Sequence, residues 1–230
     1  MARVLCIADL QCPFDHDDYV YFLGAVKDKY KTDTVVCIGD EIDLHALSDY
    51  DHDPDGYSAG DELQMAIDRL QRYYKAFPNT FVVESNHSGR MLKRAYKSGI
   101  PIKCMKDFKD VVEAPKGWNW KFKHVIDGVV YVHGVGYSGT MGALNAAKDE
   151  MRPCVIGHLH ADAGLLFWSN GEKVLWGLNV GSGIDQRAYA FAYSKTSRKK
   201  AVLSCGVIIE GRPILIYMNI QANGRWDGKV

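Results

Sequence analysis

The sequence predicts an α/β domain in which two β-sheets pack face to face. Three observations lead there: short β-branched runs alternate with helical patterns up to about residue 84, tight Gly-containing turns join the later strands, and no repeat or low-complexity block separates the two halves. In order, residues 4–8 read as a strand, 17–29 as a helix, 34–38 as a strand, 62–77 as a helix and 80–84 as a strand, which is the βαβαβ pattern of a mainly parallel sheet. From about Trp118 the pattern changes. Residues 118–126 and 129–133 flank Asp127-Gly128, residues 165–168 and 173–180 flank Asn170-Gly171, and residues 201–209 and 213–220 flank Glu210-Gly211-Arg212. Asp-Gly and Asn-Gly favour type I′ turns, whose central residues both need positive φ, so these pairs read as hairpins of a mainly antiparallel half. Residues 1–230 read as a single domain with a polar, acidic insertion at about 44–61, and insertions of that length are usually functional or disordered.

Composition narrows the function classes. The chain has 230 residues, 47% hydrophobic and 24% charged, enough for a sizeable core. Lysine plus arginine equals aspartate plus glutamate at 28 each, which excludes a broadly basic binder that grips polyanions by charge alone. No apolar run approaches the roughly 20 residues needed to span a bilayer, and the opening residues lack the apolar core of a signal peptide. A cytoplasmic protein with no membrane partner is expected. The six cysteines are scattered singly, which suits buried reduced thiols better than a disulfide framework or a zinc knuckle.

Residues able to bind metals recur where the strands end. Asp9 and Gln11 follow the first strand, Gly39-Asp40-Glu41-Ile42-Asp43 the second, and Asn86-His87 the third; His133 and then Gly157-His158-Leu159-His160 close later ones. In open α/β sheets the crevice outside the carboxyl ends of the strands is where ligands bind. Taken singly, His133 reads as a satisfied structural histidine, and Asp9 and Asp40 as turn residues or caps. Taken as an ordered set, they read as metal ligands.

That set resembles the calcineurin-like metallophosphoesterase superfamily. The family's ordered signature is Asp-x-His, Gly-Asp-x-x-Asp, Gly-Asn-His, a lone His and Gly-His-x-His; it meets here Asp9-Leu10-Gln11, Gly39 through Asp43, Ser85-Asn86-His87, His133-Gly134 and Gly157 through His160. Asn179-Val180-Gly181-Ser182 is similar to the Asn-Pro-Gly-Ser turn that often follows. The resemblance implies a four-layer α/β/β/α sandwich with two mixed β-sheets, and two divalent metal ions. One ion would be held by Asp9, Asp40 and His160 with Gln11 beside them, the other by Asp40, Asn86, His133 and His158, with Asp40 bridging. Mixed imidazole and carboxylate donors suit Mn, Fe, Zn or Ni. The implied chemistry is hydrolysis of a phosphate ester by hydroxide held between the ions, with His87 protonating the leaving oxygen and Asp43 orienting a histidine.

The departures from the signature matter. Gln11 stands where the family usually has His; a neutral amide oxygen binds more weakly than imidazole, so unequal sites and a preference for the harder Mn ion are expected. His87 is retained, which favours an enzyme over a family member that has lost catalysis. Within the family, a phosphodiesterase or nuclease is the first reading, because a basic, aromatic stretch runs through Arg187, Tyr189, Tyr193 and 195–200 and because the chain reads as one compact domain, while Leu44 and Ser88, in place of the Arg and Glu of the protein-phosphatase branch, argue against that branch. A phosphomonoesterase acting on a phosphoprotein or nucleotide is the second. A non-catalytic, metal-stabilised binding module is the reading from another class. The expected partner is a phosphate-ester substrate, nucleic acid and nucleotides included.

Other features have two readings each. Residues 51–62 carry the Asp-x-Asp-x-Asp-Gly spacing and final Glu of a calcium loop, against a local reading in which Ser58 caps a helix and Asp61 completes a capping box. His16, His45 and His52 either line the cleft or are solvated loop histidines, the reading preferred here. Arg90 either forks onto a substrate phosphate or faces solvent in the first turn of a helix.

Overall fold

The computed structural model describes residues 1–49, 55–189 and 200–230. Its strands are β1 (Arg3–Ile7), β2 (Thr34–Cys37), β3 (Thr80–Val83), β4 (Trp118–Lys121), β5 (His124–Ile126), β6 (Val129–Tyr131), β7 (Cys154–Ile156), β8 (Gly164–Ser169), β9 (Val174–Asn179), β10 (Ser204–Ile209) and β11 (Arg212–Tyr217). The helices are α1 (Tyr19–Tyr30), α2 (Ala59–Ala76), α3 (Arg90–Lys97), α4 (Phe108–Val111), α5 (Gly142–Asp149) and α6 (Gln186–Tyr189), with 3-10 turns at His45–Leu47 and Ile102–Cys104. Six strands form one sheet in the order β11-β10-β1-β2-β3-β4 and five form the other in the order β5-β6-β7-β9-β8.

The core explains the four layers. Along β1, Leu5 and Ile7 point to one side, where α1 and α2 pack. Val4 and Cys6 point to the other, where they meet Tyr131, Val155 and Leu178 of the second sheet. A strand buried on both faces reads as an unbroken apolar run, which is how residues 4–8 look in the sequence. Helix α1 buries Tyr19, Val20, Phe22, Leu23 and Val26, and α2 buries Ala66, Ile67, Leu70, Tyr73 and Tyr74, the stripe spacing of amphipathic helices. On the far side, Ala143, Ala146 and Ala147 of α5 cover Val130, Cys154 and Ile156. The result is the expected α/β/β/α sandwich. Helix α5 lies directly on β9 at Gly177, where a Cβ would stand 2.2 Å from the Ala143 carbonyl carbon.

The structure differs from the sequence expectation at 118–126 and at α5. Residues 118–126 are not one strand: β4 runs parallel to β3 in the first sheet, and β5 pairs antiparallel with β6 in the second. The later half is mainly antiparallel, as expected, through the pairs β5-β6, β8-β9 and β10-β11, although β7 joins β6 and β9 in parallel. Helix α5 had no counterpart in the sequence reading, because a short segment rich in Ala and Gly shows little hydrophobic contrast. The three hairpin turns do form, with Asp127, Gly128, Glu210 and Gly211 all at positive φ. Five cysteines are buried, whereas Cys104 is exposed. Among the described residues, no helix is long and apolar enough to cross a membrane.

Candidate metal centre

Topology brings the motif residues to one place. Strands β1, β2 and β3 are parallel neighbours, so the loops carrying Asp9, Asp40 and Asn86 leave the sheet at the same edge. Strands β6 and β7 do the same in the second sheet for His133, His158 and His160. Backbone conformation then aims the side chains. Asp9, Gln11, Asp40 and His158 all have φ between 46° and 66°, a region that non-glycine residues seldom adopt and that costs about 1 kcal/mol or more each. This strain was not readable from the sequence.

Two groups of ligand atoms result, Asp9 with Asp40 and His160, and Asp40 with His133 and His158, each with its atoms within 4.8 Å of one another. Asp40 belongs to both. Asn86 joins the second group, its Oδ1 lying 2.9 Å from His133 Nε2. Gln11 joins the first: its Nε2 is 3.2 Å from His160 Nε2 and 3.5 Å from Asp40 Oδ2, and a half-turn of the amide exchanges that nitrogen for the oxygen.

The surroundings fix these groups. His133 Nδ1 lies 2.7 Å from the Ile38 carbonyl, which leaves Nε2 to face the cluster. The His158 amide donates to Asp9 Oδ2 at 2.6 Å. Asn179 Nδ2 donates to the carbonyls of Leu159 and Asp162, bracing the loop that carries His158 and His160. At Gly157 a Cβ would stand 2.9 Å from Asp9 Oδ1, so glycine lets this loop close onto the carboxylate.

The residues fit a pair of cations. Asp9 Oδ1 and Gln11 Oε1 are buried with no hydrogen-bond partner, a costly state for oxygens unless something positive is to sit there. Electrostatics point the same way. Burial and the adjacent Asp40 charge hold the Asp9 carboxyl well above the usual carboxylate range. Burial also works against the Asp40 anion, but His133 and His87 outweigh it and hold its carboxyl well below that range. For His133, burial is likewise outweighed, chiefly by Asp40, and the imidazole is raised to about 9. Burial, foremost, pushes His160 down to about 4, which keeps the imidazole in its neutral form. Imidazoles and carboxyl groups gathered in one place suit divalent transition metals, whose charge would displace the protons that His133 and Asp9 otherwise hold.

His87 and Asp43 stand beside the cluster. His87 Nε2 is 3.5 Å from Asp40 Oδ2, and His87 Nδ1 is 3.2 Å from Asp43 Oδ1, ion-pair distance without hydrogen-bond alignment. Arg90 opens α3, and its side chain is mostly buried and not solvent-facing. Its Nη1 donates to the Asp43 carbonyl at 2.6 Å and to Asp43 Oδ1 at 3.0 Å, and its Nη2 meets His87 Nε2 at 2.8 Å.

The remaining candidates fall elsewhere. His16 and His45 are buried, not solvated. His16 Nε2 lies 3.0 Å from the Gly224 carbonyl, and His52 lies outside the described residues. The calcium reading of 51–62 is corrected at its last position, because both Glu62 oxygens are taken by the backbone N–H groups of His45 and Ala46, at 2.6 and 2.8 Å. Ser58 caps α2 instead, accepting from the Asp61 amide at 3.2 Å, with its hydroxyl donating to Asp61 Oδ2. Residues 51–54 lie outside the described residues, as do Tyr193 and most of the basic stretch 195–200.

Residues 2–197 match the family model of calcineurin-like phosphoesterases. No curated protein matches the chain. The fold is similar to that of vacuolar protein sorting 29 from Cryptosporidium parvum, with a TM-score of 0.51 at 15% identity, covering 98% of this chain and 94% of that one. Two further structures are similar at lower scores. Vps29 from Chaetomium thermophilum has a TM-score of 0.48 at 12% identity, covering 98% and 92%. YfcE, a phosphoesterase from E. coli, has a TM-score of 0.42 at 12% identity, covering 98% and 96%.

Proposed function

The chain belongs to the calcineurin-like phosphoesterase family, and on that premise we propose that it hydrolyses phosphodiesters, those of nucleic acids among them, with two divalent metal ions, manganese first. One observation supports this reading most: two groups of ligand atoms share Asp40, the arrangement that sets two cations side by side for displacement at phosphorus. When bound, the cations would offset phosphate charge and acidify water. The protein's own residues supply the rest. Asp40 fixes the spacing of the two groups, and the Ile38 carbonyl turns His133 toward the cluster. His87, at the rim with Nε2 near Asp40, is placed to protonate the leaving oxygen, and Asp43 steadies the imidazole from behind. Leu44 and Ser88, where the protein-phosphatase branch has Arg and Glu, argue against that branch.

The test is hydrolysis of bis-p-nitrophenyl phosphate and p-nitrophenyl phosphate by the manganese-loaded protein. Diester cleavage is expected. Preference for the monoester would make the protein a phosphomonoesterase, and inertness toward both with metals retained would make it a non-catalytic binding module. His87→Ala should lose about 10²–10⁴-fold in turnover while keeping its metals, and Asp40→Asn should lose metal. Unchanged turnover in His87→Ala would sink the role given to that residue.

A further inference from the structure

We propose that Arg90 acts on the leaving-group oxygen in company with His87, an inference that rests on the phosphodiesterase reading above. Three contacts define the guanidinium. One end is anchored, with Nη1 donating to both the carbonyl and Oδ1 of Asp43. The other end, Nη2, meets His87 Nε2 at 2.8 Å. That same Nε2 lies 3.5 Å from Asp40 Oδ2, so Nη2 sits at the rim of the metal-ligand cluster although the Arg90 side chain is only 11% exposed.

The donor bookkeeping gives this contact its meaning. A guanidinium has five N–H groups, accepts nothing and keeps its charge, so Nη2 donates and His87 Nε2 accepts. The imidazole proton then sits on Nδ1, beside Asp43. In this arrangement the N–H offered toward the cleft belongs to Arg90. An oxygen arriving at His87 Nε2 displaces or shares Nη2, and the planar fork allows that with Nη1 still held by Asp43.

As the bond from phosphorus to the leaving oxygen breaks, its electron pair passes to that oxygen, and the Nη2 hydrogen bond meets the growing negative charge. No proton leaves the arginine. Released from Nη2, His87 Nε2 can take up a proton from water and pass it to the oxygen, so that one phosphodiester and one water give a monoester and an alcohol. Arg90 thus bears on the leaving group itself, beyond holding Asp43.

A role at the leaving oxygen has a signature that a bracing role lacks. With the manganese-loaded full chain and a series of aryl methyl phosphates whose phenols differ in acidity, Arg90→Ala should lose about tenfold with p-nitrophenol as leaving group and about 10²-fold or more with phenol, mainly in kcat. Guanidinium ion at millimolar levels should restore part of the loss, most for the poorer leaving groups. Arg90→Lys keeps a charge without the fork and should fall between; it serves as the test if Arg90→Ala does not fold. An equal loss for every leaving group, in a variant with unchanged metal content and thermal midpoint, would overturn the inference and leave Arg90 a brace for Asp43. Unchanged rates would overturn it too. A wild-type chain inert toward all the diesters would instead overturn the phosphodiesterase reading, and this inference with it.

Discussion

On the two-cation reading, Gln11 would decide how evenly the ions are held. The first ligand group has Asp9, Asp40 and His160, with an amide where an imidazole would be a stronger donor; the second has two imidazoles besides Asp40. Gln11→His is therefore expected to tighten metal retention at the first group by about tenfold or more, read by chelator competition. Equal retention in the two proteins would remove the basis for unequal sites. Residues of this kind were legible in the sequence because each directly follows a strand, so local pattern alone places it at a sheet edge. Arg90, His16 and His45 were not legible. Their surroundings are set by distant segments: Asp43 for Arg90, Gly224 for His16, and for the His45 backbone the Glu62 carboxylate. The spacing of charges along a chain does not reveal such partners.

At the scale of elements, Glu62 links the start of α2 to the 3-10 turn at His45–Leu47. Its two oxygens cap the first two N–H groups of that turn, which sits just beyond Asp43. Removing a buried acceptor of two backbone donors should cost about 1–3 kcal/mol, so Glu62→Ala should lower the urea midpoint, with Glu62→Gln losing less because it keeps one acceptor. Basic residues of α3 hold the same segment from the other side, with Arg94 donating to the Leu47 carbonyl and Lys93 and Lys97 bonded to Asp49. A second element-scale prediction concerns the α5 layer. Gly177→Ala would drive a methyl group into the Ala143 backbone, and since backbone cannot rotate away, a loss of about 2 kcal/mol or more in thermal or urea unfolding is expected. Elements with strong period, such as α1, α2 and β1, were legible from the sequence. Residues 118–126 were not divisible, because the break between β4 and β5 comes from two sheets competing for one β-prone run and not from a turn residue.

At the scale of the whole molecule, the C-terminal segment is fastened across the first helix. Arg225 donates from two nitrogens to Asp18, the Trp226 amide adds a third bond, and the Trp226 ring packs edge-on against Phe22. The Arg225 hydrogen bonds, foremost, hold the Asp18 carboxyl down at about 2. A depressed carboxylate contributes its stability fully above its unfolded value of about 4 and loses it as the pH falls toward 2. Because Arg225 is well exposed, the contribution is discounted to about 1 kcal/mol. Asp18→Asn should therefore unfold more easily than the wild type at pH 6, with the gap closing by pH 2, followed by urea titration at each pH. A gap that persists at pH 2 would mean the loss came from packing.

The shared cluster of ligands also bears on the order of events when the chain folds. Asp9, Gln11, Asp40 and Asn86 belong to loops of the six-stranded sheet, and His133, His158 and His160 to loops of the five-stranded one. Neither sheet alone presents a complete set of donors, and the outermost ones stand about 150 residues apart along the chain. Cation capture would thus require the docking of sheet on sheet, and is expected to come late in folding. A bond made late slows the reverse passage and leaves the forward one alone. In stopped-flow mixing, manganese should lengthen the lifetime of the native chain in denaturant while refolding proceeds at the same rate with or without it.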